Sequence, residues 1–260
     1  MQQSILKKMI SQSKIKLINS LSKKKFRDLN QLYIAEGEKL VLDLIQSSVE
    51  IKWLIAQSSW LSNHTIPSEL EIIETSDQYL KKISQLKTPP PVIAICKFPS
   101  KKLEDISMRK KLTIALDELQ DPGNLGTIIR LADWFGVENI ICSNNTVDAY
   151  NPKVVQATMG AIARVNIFYT DLQSFLSQQT QQGTPIYGTF LDGENIYNQK
   201  LSTDGIIVMG NEGKGISSSI EKLISNKLLI PSFSQNIEVS ESLNVSTATA
   251  ITLSEFRRNI

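Results

Sequence analysis

Apolar and polar positions alternate in two regimes along the chain. Up to residue 97, short apolar runs at 51–56, 71–74 and 92–97 predict strands. A helical stretch opens the chain, and helical spacing recurs at 38–47 and 77–86. Thr88-Pro89-Pro90-Pro91 ends the last of these helices, because a residue before proline is pushed out of the helical region. Residues 98–111 are polar and charged and predict a linker. From residue 112 the pattern becomes more regular. The run 112–116 predicts a buried strand, and Leu125, Ile128, Ile129, Ala132 and Phe135 mark a helix over 124–135 stopped by Gly136. Further strands are predicted at 139–142, 164–169, 186–191, 206–210 and 227–231, and a final helix at 242–258. Asn151-Pro152 is a helix start, with a capping side chain followed by proline at the first helical position.

Strands alternating with helices predict an α/β fold, with a parallel sheet covered on both faces. The organisation expected is a first domain at 1–97, a linker at 98–111 and a second domain at 112–260. Ligands of such sheets sit at the carboxyl ends of the strands.

Composition narrows the setting. At 41% hydrophobic over 260 residues the chain can bury ordinary globular cores. It has no apolar run near the ~18 residues of a membrane span. Its first residues show neither an apolar core segment nor a small-residue cleavage site, so no secretory signal is expected. Cys96 and Cys142 lie in apolar runs and read as buried thiols of a reduced, cytoplasmic protein. Net charge is only +2, but it is unevenly spread. Residues 1–30 hold eight basic side chains (Lys7, Lys8, Lys14, Lys16, Lys23, Lys24, Lys25 and Arg27) against the single acid Asp28. A second basic stretch is formed by Lys97, Lys101, Lys102, Arg109, Lys110 and Lys111. Clustered cations suit a polyanion such as nucleic acid; a solvated helix face is the competing reading.

Three polar, glycine-bearing stretches each follow a predicted strand in the second half: 121–126, 210–215 and 231–246. Two familiar phosphate-binding patterns fail on spacing. Gly210, Gly213 and Gly215 run in the wrong order for a dinucleotide fingerprint, and Lys214 is followed by Gly215 and Ile216 rather than a hydroxyl residue. No Cys/His cluster suggests a metal, and His64, the lone histidine, is expected at the surface. A Ser-His-Asp hydrolase is thereby closed off.

The three stretches resemble the signature motifs of the TrmH/SpoU family of RNA 2′-O-methyltransferases, in the SPOUT superfamily. The first is matched by Asn124-x-Gly126-x-x-x-Arg130, ending at Phe135-Gly136. The second is matched from Ile207 to Gly215 through Gly210-Asn211-Glu212-Gly213, and the third by Ile230-Pro231 with Ser242-Leu243-Asn244-Val245-Ser246. The resemblance covers 112–260. In the first half, Tyr33-Ile34-Ala35-Glu36-Gly37 resembles the family's ribosomal-protein-like RNA-binding domain. Two departures stand out: a longer loop at 232–240, and Thr247-Ala248-Thr249-Ala250 where small apolar residues are usual.

The resemblance implies a C-terminal domain with a deep trefoil knot, a smaller N-terminal RNA-binding α/β domain, a homodimer, and S-adenosylmethionine (SAM) as methyl donor. RNA would be the substrate, ribosomal favoured over transfer, because a separate N-terminal domain and modest charge resemble the family's ribosomal members. Thr189, Gly210, Ile230 and Leu243 would hold SAM. Arg130 would activate the ribose hydroxyl, either by positioning it and stabilising alkoxide charge or as a base. Asn124 would orient substrate or loop, or cap its helix. Glu212 would accept a hydrogen bond from Arg130 or substrate. Ser242 and Asn244 would contact Arg130 or RNA, with helix capping as the alternative. Leu243 and Val245 are expected to pack, and Trp134 to pack or lie on the dimer surface. The competing readings are a catalytically silent RNA-binding relative and a small-molecule methyltransferase.

Overall fold

The computed structural model describes residues 10–234 and 242–258. The chain divides into two compact units: residues up to 100 together with 148–163, and residues 101–147 together with 164–260.

In the first unit, helices α1 (Gln12–Ser20) and α2 (Lys24–Asn30) precede β1 (Leu32–Glu36), α3 (Glu38–Ile45), β2 (Ile51–Ala56), α4 (Ser58–Ser62), β3 (Ile72–Glu74), α5 (Asp77–Ile83) and β4 (Val92–Lys97). The sheet order is β1-β4-β2-β3, antiparallel except for β2 with β3. Ser11 starts α1 by accepting from the backbone N–H of Lys14. That turns Ile15 and Ile18 inward onto Trp53, Ile55 and Ile93. Strand β1 is buried at all five positions, so it lacks the alternation of a half-exposed strand.

The helix α7 (Pro152–Ala157), which the chain supplies far later in sequence, packs on β1. Tyr150 lies with its ring centroid 5.0 Å from Tyr33 and 4.3 Å from Phe98. Arg27 is 2% exposed, donates to Leu21 O at 2.8 Å, and is ion-paired with Asp148. Its place in the N-terminal basic cluster is therefore corrected: this cation faces inward, where burial requires a partner. Lys14 and Lys24 are paired with Glu71 and Asp28. Lys16, Lys23 and Lys25 are exposed, while Lys7 and Lys8 lie outside the described residues. At Gly160 (φ +98°) an added Cβ would lie 2.1 Å from the Asp43 carboxylate, so the segment seats here only with glycine.

The second unit holds β5 (Leu112–Leu116), α6 (Pro122–Trp134), β6 (Asn139–Ser143), β7 (Asn166–Thr170), α8 (Leu172–Gln181), β8 (Ile186–Asn195), β9 (Gly205–Met209), α9 (Ser218–Glu221), β10 (Asn226–Leu229) and α10 (Val245–Arg257). All its strand pairs are parallel, in the order β10-β8-β9-β5-β6-β7. Ala115, Ile141, Ile186, Ile206 and Val208 pack against Phe175, Leu176 and Ile220 of α8 and α9. Ile114, Ile140, Ile207 and Met209 have the other parity, so they point to the opposite face, and are equally buried. Phe256 of α10 meets Tyr187 edge-on at 4.9 Å on that second face. The expected covering of both faces is thus observed. Leu103, Ile106 and Met108 of the stretch expected as a linker are partly buried against the α8 side of this core, because apolar residues spaced through a polar segment gain by burial.

Strand β8 is longer than its apolar run predicts. Its register with β10 jumps from Lys227↔Gly188 to Leu228↔Glu194, so residues 189–193 bulge outward. Cys96 and Cys142 are both fully buried; burial pushes the Cys96 thiol up to about 12 and the Cys142 thiol higher still. No helix among the described residues is long and apolar enough to cross a membrane.

Candidate active site

Parallel strands end on one edge, so the segments after β5, β9 and β10 share that edge of the second unit. Asp117 extends the β5–β9 ladder by donating its N–H to Met209 O at 2.9 Å. Its buried carboxylate accepts from the N–H of Ser217 at 2.8 Å. Glu118 then turns the chain with a left-handed φ of +57°. Its N–H donates to Ser143 Oγ at 2.9 Å and its carbonyl accepts from Asn211 Nδ2 at 2.8 Å.

That turn delivers Asp121 to the start of α6, where it caps the helix by accepting from Asn124 N–H at 2.8 Å, with Pro122 at the first position. The capping alternative for Asn124 is thereby corrected. Asp121 holds the cap because Pro122, which needs no partner for a missing N–H, follows it. The Asn124 side chain is left for other work. Its Nδ2 donates to Glu212 Oε1 at 3.2 Å, and its Oδ1 accepts from Asn244 Nδ2 at 3.0 Å.

Glu212 rides on the loop after β9. Gly210 begins that loop, and an added Cβ there would lie 2.2 Å from the carbonyl carbon of Gly215. The glycine is required by the loop's packing on itself. Asn211 and Gly215 exchange two backbone hydrogen bonds at 2.9 Å, and Asn211 Oδ1 accepts from the N–H groups of Gly213 and Lys214. The tight loop sets the Glu212 carboxylate before the N-terminus of α6. There it accepts from the N–H groups of Asp121 at 3.0 Å and Gln120 at 3.3 Å as well as from Asn124. Partial burial pushes its pKa up, but these hydrogen bonds outweigh that and hold it below the ordinary 4.5. The expected Glu212–Arg130 contact is not formed: donors from the neighbouring turn occupy the carboxylate.

Asn244 caps α10, accepting from the N–H groups of Ser246 at 3.0 Å and Thr247 at 3.3 Å. Capping of this helix falls to Asn244, not Ser242, because α10 begins at Val245 rather than 242. One asparagine thus starts the helix with its oxygen and reaches the first motif with its nitrogen. Ser242 is exposed beside it. Val245 is buried as expected, but Leu243 is 50% exposed, so the packing expected of it is not found among the described residues. The long loop's residues 235–240 and Glu241 lie outside the described residues.

Arg130 stands on the exposed side of α6, opposite the buried Leu125, Ile128 and Ile129. No hydrogen bond or ion pair among the described residues holds its guanidinium. Thr189 begins the β8 bulge, its hydroxyl 4.0 Å from Met209 Sδ. Ile230 follows β10 and is half-buried. Trp134, at the end of α6, is 83% exposed, so it is not packed among the described residues. His64 is half-buried in the first unit, stacked 4.3 Å from Trp60 and 2.8 Å from its carbonyl oxygen. The expectation of a surface histidine is refined accordingly: the ring is a packing element.

Sequence reasoning passed over Asp117, Glu118 and Gln120, and named Asp121 and Asn211 only as members of the motif stretches, without a role. Asp121-Pro122 carried the cap-then-proline signal, and Asn211 the asparagine of a side-chain-closed turn. Glu118 carried none, since glutamate is not a residue that left-handed turns favour.

A carboxylate, two carboxamides and an exposed guanidinium at this edge can orient a hydroxyl or phosphate and stabilise growing negative charge. Thr189, Gly210, Ile230 and Leu243 offer a neutral hydroxyl, backbone polar groups and apolar surface. Groups of this kind could hold the adenosine of SAM by hydrogen bonds and apolar contact.

Residues 111–254 match the family described as SpoU rRNA methylase, and residues 12–94 match an MRM3-like substrate binding domain. A Bacillus subtilis relative, 23S rRNA (guanosine(2553)-2′-O)-methyltransferase RlmP, is 29% identical over 245 residues, covering 94% of this chain and 96% of the relative. The solved structure of a TrmH-family protein from Porphyromonas gingivalis is similar with a TM-score of 0.89 and 38% identity, covering 97% of this chain and 100% of that one. An AdoMet-bound rRNA methyltransferase from Sinorhizobium meliloti is similar with a TM-score of 0.85 and 30% identity, covering 97% and 98%. With three motif loops joined at one sheet edge, and a family match spanning more than half its length, the chain belongs to the SpoU rRNA methylase family.

Proposed function

We propose that this protein transfers a methyl group from SAM to a ribose 2′-hydroxyl of RNA, with ribosomal RNA favoured over transfer RNA. The observation that carries this reading is the hydrogen-bonded chain Asn244–Asn124–Glu212, which joins the three motif loops at the carboxyl edge of the sheet. SAM supplies an electrophilic methyl on a sulfonium, so one C–S bond breaks as one C–O bond forms. Thr189, Gly210, Ile230 and Leu243 bind it, within the knot that the family resemblance implies.

The protein's task is then orientation and charge. In-line attack needs the hydroxyl oxygen close to the methyl carbon and aligned with it. Arg130 positions the 2′-hydroxyl or an adjacent phosphate with its planar fork and stabilises negative charge as the hydroxyl proton passes to solvent water. Its pKa, above about 12, makes that role better suited to it than general base. Asn124 and Glu212 hold the start of α6, which carries Arg130, against the loop after β9. Ser242 and Asn244 place the third loop beside them. The working form is a cytoplasmic homodimer, for which the exposed Trp134 offers apolar surface.

The test is transfer of labelled methyl from SAM to RNA from cells lacking this gene, with ribosomal and transfer fractions separated and the Arg130→Ala variant alongside. Label in the ribosomal fraction, lost in the variant, is the expected result. SAM binding without label in either fraction would point to a silent RNA-binding relative.

A further inference from the structure

Lys227 on β10 makes a set of contacts that the strand does not require. Its ammonium lies 3.2 Å from Asp192, in the bulge of β8, and 2.5 Å from Glu221, in α9. It also sits 4.7 Å from the centre of the Phe190 ring. Phe190 in turn fills space that Gly188 leaves open: an added Cβ there would lie 2.8 Å from the Phe190 ring and 3.1 Å from Ile216. At the far end of the bulge, Gly193 closes onto the backbone of Leu228, where a Cβ would lie 2.6 Å from the carbonyl carbon. The hydrogen bonds that Lys227 donates to Glu221 and then Asp192 raise its pKa above the ordinary 10.5.

We propose that Lys227 is a positioning residue for the cofactor site, tying the 189–193 bulge that begins at Thr189 to α9, which follows the 210–215 loop. This rests on the methyl-transfer reading above, in which Thr189 and Gly210 hold SAM. The two segments come from different strands, and exposed loops open with little free energy. A shared cation between two carboxylates, seated on an aromatic face, makes them move together. Exposed ion pairs add little to global stability, so the consequence falls on the loops and not on the fold.

The test uses the full chain with Lys227→Met, which keeps the stem and removes the charge, and Lys227→Arg, which restores the charge. Hydrogen exchange of the ligand-free proteins is followed in peptides covering 189–193 and 216–221, and SAM affinity is measured by calorimetry. Lys227→Met is expected to speed exchange in both segments together and to weaken SAM binding about fivefold, the upper range for an exposed pair. RNA binding and the unfolding midpoint stay unchanged, and Lys227→Arg recovers both losses. Unaltered exchange in either segment, or unaltered SAM affinity in Lys227→Met, overturns the proposal. Absence of SAM binding by the wild-type chain overturns the methyl-transfer reading and the cofactor role of Lys227 with it. That result is distinct from failure of the tie itself, which is read in the ligand-free protein.

Discussion

Asn124 and Asn244 stand 120 residues apart in the chain, yet the side-chain nitrogen of the second donates to the side-chain oxygen of the first at 3.0 Å. Asn244 does this while its own oxygen caps α10. The two duties can be separated. In Asn244→Asp the cap survives, since aspartate caps as well as asparagine, but nothing is left to donate to Asn124. Methyl transfer should fall about fivefold, the worth of one net hydrogen bond, with the unfolding midpoint lowered less than when the cap is lost too. In Asn244→Ala both are lost, and stability should drop by about 1 kcal/mol as well. Full activity in the aspartate variant would show that the inter-motif contact is dispensable.

Glu212 gives the site an acid limit. Its folded pKa lies below the ordinary value, so its contribution is complete above that value and is lost as pH falls through the folded pKa. Wild type and Glu212→Gln should therefore differ in unfolding midpoint at neutral pH and through the mildly acidic range. The difference should close only below pH 4.5, the ordinary value of the group. Denaturation curves of both proteins across pH measure it; a gap that closes near pH 6 would contradict the assignment.

Arg130 is exposed, so replacing it should leave folding intact. Arg130→Ala should cut turnover by about a hundredfold or more, the scale for removing one preorganised charge stabiliser. Arg130→Lys keeps the charge but not the planar fork and should recover little of it. Single-turnover methyl transfer separates these from binding defects; near-normal rates in the lysine variant would remove the fork from the mechanism.

Arg27 and Asp148 test the first unit. Arg27→Met leaves the Asp148 carboxylate, 10% exposed, without its cation. The cost should be about 3–5 kcal/mol, as for other broken buried pairs. Arg27→Met combined with Asp148→Asn should be milder than the single change. Urea unfolding of the three proteins decides it, and equal losses in single and double variants would mean the pair is not coupled.

Much of the second unit was readable because its strands are buried on both faces. Leu112–Leu116, broken only by Thr113, and residues 140–142 show as apolar runs for that reason. Strand β1 was missed: Tyr33 and Glu36 interrupt its run, and their burial depends on Tyr150 and Ser84, partners remote in sequence. The site was legible as three motifs but not as a network. Which residue caps α6, and which donors Glu212 accepts, follow from a left-handed turn at Glu118 that no local signal announces. Leu243 was expected to pack, yet it is exposed, because residue type does not reveal which side of an element faces a neighbour; for Trp134, expected to pack or to lie on the dimer surface, exposure leaves the second alternative.

The stretch 148–163 has one further consequence. The polypeptide leaves one unit and enters the other at three peptide bonds, near 100, 147 and 163. Neither unit is therefore a detachable cassette. A fragment ending at residue 100 would lose Val154, Val155 and Ile162, all buried in its first unit, while a fragment starting at 111 would carry them with nothing to cover them. Such a chain cannot be parted into its two units by a single cut: a cut at any one of these points leaves one unit with a piece of the other.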